Sequence, residues 1–430
     1  MTRAELFQSL KRSELLKNTS ILVSGTAIAQ LIPILLQPIL RRAYSSEIFG
    51  AYAVYLSLVG ILAIISSFKY ELAIILPKKN KDAANLFFLT ILINFAFNTI
   101  LLLIIIIWKH QFLRFFNLPE KFSEYLFFVP LGIFFYSFYQ SINNWLVREK
   151  AFLPVSINKF VRRGFEGSGQ IGFKFANNSH GIIYGDLIGH IANLVSGIYQ
   201  AAKRGLSLRL LSTGKIKYVA KKYSEFPKFN VIPSFMSACS FLLPVLLVNK
   251  FYSAELTGFF DLSRLLLSIP LALIATSISN VLLQSISEKY REKKSLKKDL
   301  LLILGVVAVI GITEIILITI FGVQIFKIGF GEENAFSGKI SQILVWSYAL
   351  NFFVASFSAI FISMNKIKIL SIWQLFYFIS ILSLTLFSKY EFLDFLRIYV
   401  SIEVFCYLVI ITMMLFIIFN YERKLKTMVL

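Results

Sequence analysis

The chain has 430 residues, of which 57% are hydrophobic and 16% charged, with a mean hydropathy of +0.73 and a formal net charge of +21. The apolar residues are gathered into long blocks, which excludes a water-soluble globular domain, because about 20 consecutive apolar residues match the hydrocarbon thickness of a bilayer. The positive charges lie between those blocks and not on one folded face, which removes nucleic acid as the reason for the basic balance.

In lipid every backbone polar group has to be satisfied within its own segment, and helices do this directly. Runs such as 97–108 do not alternate as a barrel strand would. The expected fold class is an all-α membrane protein with twelve transmembrane helices. Residues 1–17 are polar and mixed in charge and read as a cytoplasmic N-terminal segment, not as a cleavable signal. Spans are expected near 18–40, 48–68, 84–108, 123–146, 153–174, 180–202, 230–248, 256–286, 300–323, 340–364, 367–387 and 396–419.

Lys and Arg fix the expected orientation. With the N-terminus in the cytoplasm, 29 of the 44 basic residues fall in cytoplasmic segments, 11 on the opposite side and four inside spans. An even number of spans returns the C-terminus to the same side. The organisation expected is therefore an N-terminal six-helix bundle (18–202), a basic cytoplasmic linker (203–228) and a C-terminal six-helix bundle with a short cytoplasmic tail (229–430). No outward connection is long enough to hold an external domain. A short repeat supports two halves: Tyr44-Ser45-Ser46-Glu47-Ile48-Phe49-Gly50 recurs as Tyr252-Ser253-Ala254-Glu255-Leu256-Thr257-Gly258, identical at four of seven positions. Each copy links the first two spans of its half. Halves of six helices have the same orientation, so the repeat is parallel, and a substrate site is expected between them.

Enzyme signals are absent. The three histidines, His110, His180 and His190, show no metal spacing. Gly164, Gly167, Gly169 and Gly172 sit in a span and not in a nucleotide-binding loop. Cys239 and Cys406 lie in apolar runs and read as small buried residues. No cofactor and no metal is expected.

The informative residues are polar groups inside spans, where an ionisable side chain costs about 2.5–3.5 kcal/mol and so faces a cavity or a partner. Span five carries Lys159, Arg162, Arg163 and Glu166 on one helical face, extended by Gln170. The stripe either lines a cavity or snorkels toward headgroups, and Glu166 is placed to neutralise Arg162 or Arg163. In span eight Asp261 and Arg264 are three apart, as a local pair or a polar wall. Lys69 and Glu71 close span two, and Arg41 and Arg42 close span one, each at an interface or a cavity edge. Gln30, Pro33, Gln37 and Pro38 make span one polar and bendable. Asp186, Glu314 and Glu403 lie singly in spans six, nine and twelve, suited to ion coupling or to hydrogen bonding with a neighbouring helix. Among spans five and eight, three Arg and one Lys stand against one Asp and one Glu, which suits an anionic substrate such as a phosphate or pyrophosphate.

Several stretches resemble one family in order: GTAIAQLIPILLQPIL (25–40), YSSEIFGAYAVYLSLVGIL (44–62), KYELAIILPKKNKDAANL (69–86), GIIYGDLIGH (181–190), FPKFNVIPSF (226–235) and YSAELTGFFDLSRLLLSIPL (252–271). Together they resemble the polysaccharide flippases, the O-antigen and capsule repeat-unit translocases of the multidrug/oligosaccharidyl-lipid/polysaccharide exporter superfamily. The likeness weakens after about residue 300. The resemblance implies two parallel six-helix bundles around a central cavity. It also implies translocation of an undecaprenyl-pyrophosphate-linked oligosaccharide from the cytoplasmic to the outer leaflet of the bacterial inner membrane by alternating access. Lys69 and Arg264 are carried over by motif position as cavity cations; Arg162, Arg163 and Lys159 rest on the helical-face argument, with Arg41, Gln30 and Gln37 as further lining. Asp261, Glu166, Asp186 and Glu314 are the candidates for ion coupling or charge pairing.

The expected partners are the lipid-linked oligosaccharide, the bilayer and, within lipopolysaccharide or capsule assembly, a glycan polymerase and glycosyltransferases. The expected oligomeric state is a monomer. Three other readings stay open: a cation-coupled small-molecule exporter of the same fold, a membrane enzyme of glycan assembly and a non-transporting component of that machinery. Drug-exporting relatives tend to carry an acid in the first helix, where this chain has Gln30 and Gln37.

Overall fold

The computed structural model describes residue 25 and residues 28–429, which are helical with short connections and contain no strand. The expected segment 1–17 and the beginning of the first span lie outside the described residues. Ten of the described helices are long and apolar enough to cross a bilayer, so the chain is a multi-pass membrane protein. Two further expected spans complete the count of twelve. One is the helix through 28–43, here α1. The other is α5, Phe152–Phe175, whose composition is too polar to qualify.

The chain forms two compact units, one ending at Ala238 and the other starting at Cys239. The boundary falls inside one helix, α8 (Glu225–Phe251). The first unit contains α1, α2 (Ser46–Ser66), α3 (Asn80–Phe116), α4 (Ser123–Arg148), α5 and α6 (Gly181–Ala202). It also holds the short amphipathic α7 (Thr213–Lys222). In α2, 61% of the apolar window is buried, whereas α3 has only 22% buried, so α2 is interior and α3 turns most of its surface to lipid. Helix α3 loses helical geometry at Trp108, where the expected span ends, and resumes to Phe116.

The basic segment after α6 is folded onto this unit. Tyr70 donates its hydroxyl to the Ala220 carbonyl at 2.9 Å. Asn85 donates to the Leu210 carbonyl and accepts from the Ser212 amide, each at 2.9 Å. Val219 is buried in a core with Ile74, Leu86 and Trp145.

The second unit contains α9 (Ala254–Arg291), α10 (Lys297–Phe330), α11 (Ala335–Phe357), α12 (Ala359–Ser363), α13 (Ile367–Leu382) and α14 (Phe392–Val429). Helix α11 is its centre, packed against α9, α10 and α14. At Gly338 of α11 an added Cβ would lie 2.5 Å from the Val323 backbone of α10, so these helices meet at a residue without a side chain. Helix α10 has 17% of its apolar window buried and presents Leu302, Val309 and Ile320 outward.

The repeated heptapeptide starts α2 in one unit and α9 in the other. Ser45 and Ser253 precede the helices in extended conformation, and the Ser253 hydroxyl accepts from the Leu256 amide, an N-cap. Glu47 and Glu255 lie in the first turns, where the helix dipole favours an acid. The tyrosines anchor each stretch to a distant carbonyl: Tyr44 donates to Gln170 and Tyr252 to Tyr390, both at 2.8 Å.

Helices α5 and α6 pack along their length, and glycines let them do so. A Cβ at Gly185 would lie 2.5 Å from the Gln170 amide nitrogen, and one at Gly189 would lie 2.8 Å from the Arg162 carbonyl oxygen. Gly181, Gly185 and Gly189 form a small-residue stripe at four-residue spacing, the arrangement that brings membrane helices into close contact. Gly164 and Gly172 on α5 face open space. Gly185→Ala therefore forces the two backbones apart and costs about 1–3 kcal/mol, as overpacking does. Gly172→Ala is neutral or stabilising by up to about 1 kcal/mol, because alanine is the better helix former. Thermal unfolding in detergent distinguishes the two: equal midpoints for both variants would refute the close approach.

Candidate functional site

The polarity of α5 is directed at α6. Asn158, Arg162, Glu166 and Gln170 recur every fourth residue, a row about 18 Å long on one helical face. Opposite them α6 presents Asp186, His190, Asn193, Ser196 and Gln200 at spacings of three or four. At one end Gln170 donates its side-chain amide to the Ile182 carbonyl at 3.3 Å. At the other, Ser196 and Gln200 donate to Asn158 Oδ1 at 2.8 and 2.9 Å.

The charged centre lies between those ends. Arg163 Nη1 donates to both oxygens of Glu166, at 3.0 and 2.8 Å. The Arg162 guanidinium lies 3.9 Å from Glu166 Oε2 and 3.5 Å from Asp186 Oδ1. Asp186, with 1% of its side chain exposed, also accepts from the Tyr55 hydroxyl of α2 at 3.2 Å. His190 Nε2 is 3.7 Å from Asp186 Oδ1, and its ring stacks on Phe135 of α4. Two guanidinium groups and two carboxylates bring the formal charge to zero when His190 is neutral. Several polar atoms here are buried with no hydrogen-bond partner in the protein: Asn158 Nδ2, Arg162 Nε, Asp186 Oδ1, His190 Nδ1 and both side-chain polar atoms of Asn193. The interface thus offers donors and acceptors beyond those the protein itself satisfies.

The second unit has a different polar centre. Arg264 of α9 is 6% exposed. Its Nε donates to the Tyr348 hydroxyl at 3.1 Å and its Nη2 to the Phe241 carbonyl at 2.6 Å. Its guanidinium lies 4.6 and 5.5 Å from the ring centres of Phe241 and Phe260. Tyr348 also lines a cavity of about 300 Å³ between α9 and α11, whose polar wall includes Ser268, Thr276, Ser279, Asn280 and Asn351. From that wall a chain of side chains runs inward. Asn351 donates to the Tyr407 hydroxyl at 2.8 Å, Tyr407 and Tyr377 are 3.3 Å apart, and Tyr377 donates to Glu403 at 2.7 Å. Trp373 stacks on Tyr377 and donates to the Cys406 carbonyl.

The other expected residues are dispersed. Arg41 is buried, donates to Gln37 at 3.0 Å and lies over Phe49 at 3.6 Å. Gln30 is half-buried on the same helix. Lys69 has a left-handed backbone and lies 3.7 Å from Glu71, which also accepts from Ser67. Lys159 is half-buried, while the buried row passes through its neighbour Asn158. Asp261 is half-buried one turn before Arg264, whose hydrogen bonds go to Tyr348 and Phe241. Glu314 is half-buried on α10, with Oε2 lacking a partner. Cys239 and Cys406 are free and buried. No group of three metal-ligating side chains occurs among the described residues.

The structure thus gathers Arg162, Arg163, Glu166 and Asp186 into one cluster and leaves Arg264 in the other unit. Tyr55, Asn158, His190 and Asn193 join the cluster without having been singled out by sequence. The periodic spacing 186, 190, 193, 196, 200 carries the signal for α6, and Gly181, Gly185 and Gly189 mark the same helix. Nothing in the sequence brings Tyr377 to Glu403 and Tyr407, because α13 and α14 meet only on folding.

The fold has known counterparts. A multidrug resistance transporter of the MATE family, MOP superfamily, in an inward-facing conformation, superposes with TM-score 0.70 at 15% identity over 93% of this chain and 99% of the other. The lipid II flippase MurJ gives TM-score 0.70 at 13% identity, over 94% and 91%. A MOP superfamily transporter from Pyrococcus furiosus, described as having a binding pocket of reverse polarity, gives 0.58 at 15% identity, over 93% and 96%. At these identities the likeness is one of fold. No curated protein sequence gives a significant match. The family model described as polysaccharide biosynthesis protein matches residues 39–335, more than two thirds of the chain. With its all-helical, multi-pass architecture, the chain belongs to this polysaccharide biosynthesis protein family.

Proposed function

We propose that the chain is a flippase that carries an undecaprenyl-pyrophosphate-linked oligosaccharide repeat unit from the cytoplasmic to the outer leaflet of the bacterial inner membrane by alternating access. It acts as a transporter and not as an enzyme, without a cofactor, as a monomer whose termini are cytoplasmic, and it hands its cargo to glycan polymerisation. One observation carries this reading in a member of a polysaccharide biosynthesis family. Arg264 is a guanidinium held inside a bilayer-spanning helix by a hydroxyl, a carbonyl and two rings, beside a hydroxyl- and amide-lined cavity. A fixed cation there suits pyrophosphate, and neutral polar groups beside it suit sugar hydroxyls. In the other unit Lys69 and Arg163 are each paired with a carboxylate, Glu71 and Glu166. The fold shared with the lipid II flippase MurJ supports a lipid-linked cargo. The fold shared with a multidrug resistance transporter supports small-molecule export as the second reading, which the buried Arg264 guanidinium beside the cavity disfavours for cationic drugs.

Replacing Arg264 by methionine, with membrane abundance and thermal stability measured alongside surface glycan, separates function from folding. Methionine keeps the length and apolar body of the side chain but leaves the Tyr348 hydroxyl and the Phe241 carbonyl without their donor, at a cost of about 1–3 kcal/mol, while a lost contact to a charged ligand costs about 1.5–3 kcal/mol, roughly ten- to hundredfold in binding. The expected outcome is retained membrane abundance, a thermal midpoint lowered by no more than that cost, and loss of surface glycan. Normal glycan in Arg264→Met would remove the anionic-cargo reading.

Sidedness has an independent check. Cys239 and Cys406 are buried, so introduced thiols dominate labelling by a membrane-impermeant maleimide. A cysteine at Ser179 is expected to react in intact cells and one at Lys217 only after permeabilisation. The opposite pattern would invert the orientation.

A further inference from the structure

The cavity of about 300 Å³ in the second unit has a directed hydrogen-bond network behind it. Asn351 lines the cavity, whereas Glu403, Tyr377 and Tyr407 are buried behind it. A phenol carries a single hydrogen, so each bond in the chain decides the next. Tyr377 gives its hydrogen to Glu403 at 2.7 Å. At its 3.3 Å contact with Tyr407 it can therefore only accept, and Tyr407 is the donor there. Tyr407 has only lone pairs left for Asn351, which presents its amide nitrogen at 2.8 Å. The Asn351 amide is thereby held with Nδ2 on Tyr407 and Oδ1 left to the cavity. Glu403 on α14 thus sets which way a side chain on α11 points, two phenols away.

Two further groups of the cavity wall have a fixed sense. Tyr348 accepts from Arg264 Nε at 3.1 Å, so its own hydrogen is available to donate. Thr276 gives its hydrogen to the Ala272 carbonyl at 2.7 Å and keeps lone pairs to accept with. The wall therefore offers a donor at Tyr348 and acceptors at Asn351 and Thr276, and among the described residues that line it none is charged. Leu267, Leu271 and Ala275 supply apolar surface beside them. An uncharged sugar matches this wall, with hydroxyls that donate and accept on a ring that has an apolar face. The volume lies at the low end for small-molecule sites, which suits one sugar unit.

We propose that this cavity is the subsite for the sugar attached directly to the pyrophosphate, and that Glu403 is its positioning residue, acting through Tyr377 and Tyr407 to hold Asn351 Oδ1 as the acceptor for a sugar hydroxyl. Tyr348 joins the two parts of the cargo, because it bonds Arg264 and lines the cavity. An Asn351 amide turned the other way would present an N–H to the same hydroxyl and change which sugars fit. The subsite rests on the anionic-cargo reading above, which puts the pyrophosphate at Arg264.

Two probes separate the sugar from its carrier: undecaprenyl pyrophosphate, and the same lipid bearing one N-acetylglucosamine. Binding of each to the purified full-length protein in detergent is measured by titration calorimetry. The quantity read is the ratio of the two affinities, which cancels any loss common to both probes, such as partial unfolding. The wild type is expected to bind the glycosylated probe at least about tenfold more tightly, the worth of one or two hydrogen bonds. Asn351→Leu removes the acceptor and Tyr407→Phe leaves the amide free to turn, and each is expected to bring the ratio below about threefold. Glu403→Leu is expected to do the same, whereas Glu403→Gln, whose Oε1 still accepts from Tyr377, is expected to keep the wild-type ratio. Equal affinities in the wild type would overturn the subsite and leave the anionic-cargo reading standing. A ratio lost in Asn351→Leu but kept in Tyr407→Phe and Glu403→Leu would overturn the positioning role. A ratio lost in Glu403→Gln would assign the effect to carboxylate charge and overturn that role as well. Failure of the wild type to bind either probe would sink the anionic-cargo reading and the subsite with it.

Discussion

A polar side chain within a bilayer needs a partner, and in the first unit the charged side chains of α5 find theirs at one interface, where several further polar atoms stay without a partner in the protein. Helix α5 is too polar to cross lipid on its own composition. It crosses because Asn158, Arg162, Glu166 and Gln170 all face α6, and because Gly185 and Gly189 let α6 approach close enough to answer them. The same contact assembles the charged cluster. A wider separation would leave Arg162 without Asp186, and a buried unpaired charge is strongly destabilising. Stability of the span and chemistry of the site are therefore one arrangement, read from the backbone side and from the side-chain side.

The two units begin alike and diverge at their centres. The heptapeptide that opens α2 also opens α9, with the same serine before the helix, acid in its first turn and anchoring tyrosine. Twelve positions after that tyrosine the sequences part: Leu56 is more than a third exposed, and its counterpart Arg264 is buried. The first unit places its cations on α5 and balances them with carboxylates. The second places one on α9 and balances it with a hydroxyl, a backbone carbonyl and two aromatic faces. A guanidinium tolerates such neutral partners because its charge is delocalised and weakly hydrated. The carboxylate of the second unit, Glu403, lies instead at the end of a tyrosine chain leading to the cavity wall.

The outer surface is simpler. Helices α3 and α10 carry long aliphatic faces that the protein leaves uncovered, as lipid-facing helices do. The basic segment after α6 has charge enough to be a solvated linker, yet Val219 and three hydrogen bonds between side chain and backbone fasten it to α3 and the turn after α2. Its lysines stay exposed while its apolar stripe is used, which is what a short amphipathic helix allows.

Composition and hydropathy by themselves determined the all-α, multi-pass architecture, because the length of an apolar block and the absence of alternation admit little else in a bilayer. The ordered motifs between 25 and 271 identified the family, and the model match over 39–335 agrees with them. Helical periodicity also placed Arg162, Arg163 and Glu166 on one face, since spacing along a helix is a local property. What spacing could not decide was the partner of that face. Sequence put Lys159 in the row, and the structure put Asn158 there, a rotation of one residue set by where α6 lies. His190, which by sequence showed only that it has no metal spacing, stands beside Asp186 because both project toward α5. The reach of Arg264 to Tyr348, 84 residues away, and of Tyr377 to Glu403 belongs to packing between helices that hydropathy treats as equivalent. Local sequence fixes which residues share a face; only the tertiary fold decides which faces meet, and that meeting turns scattered intramembrane charges into sites.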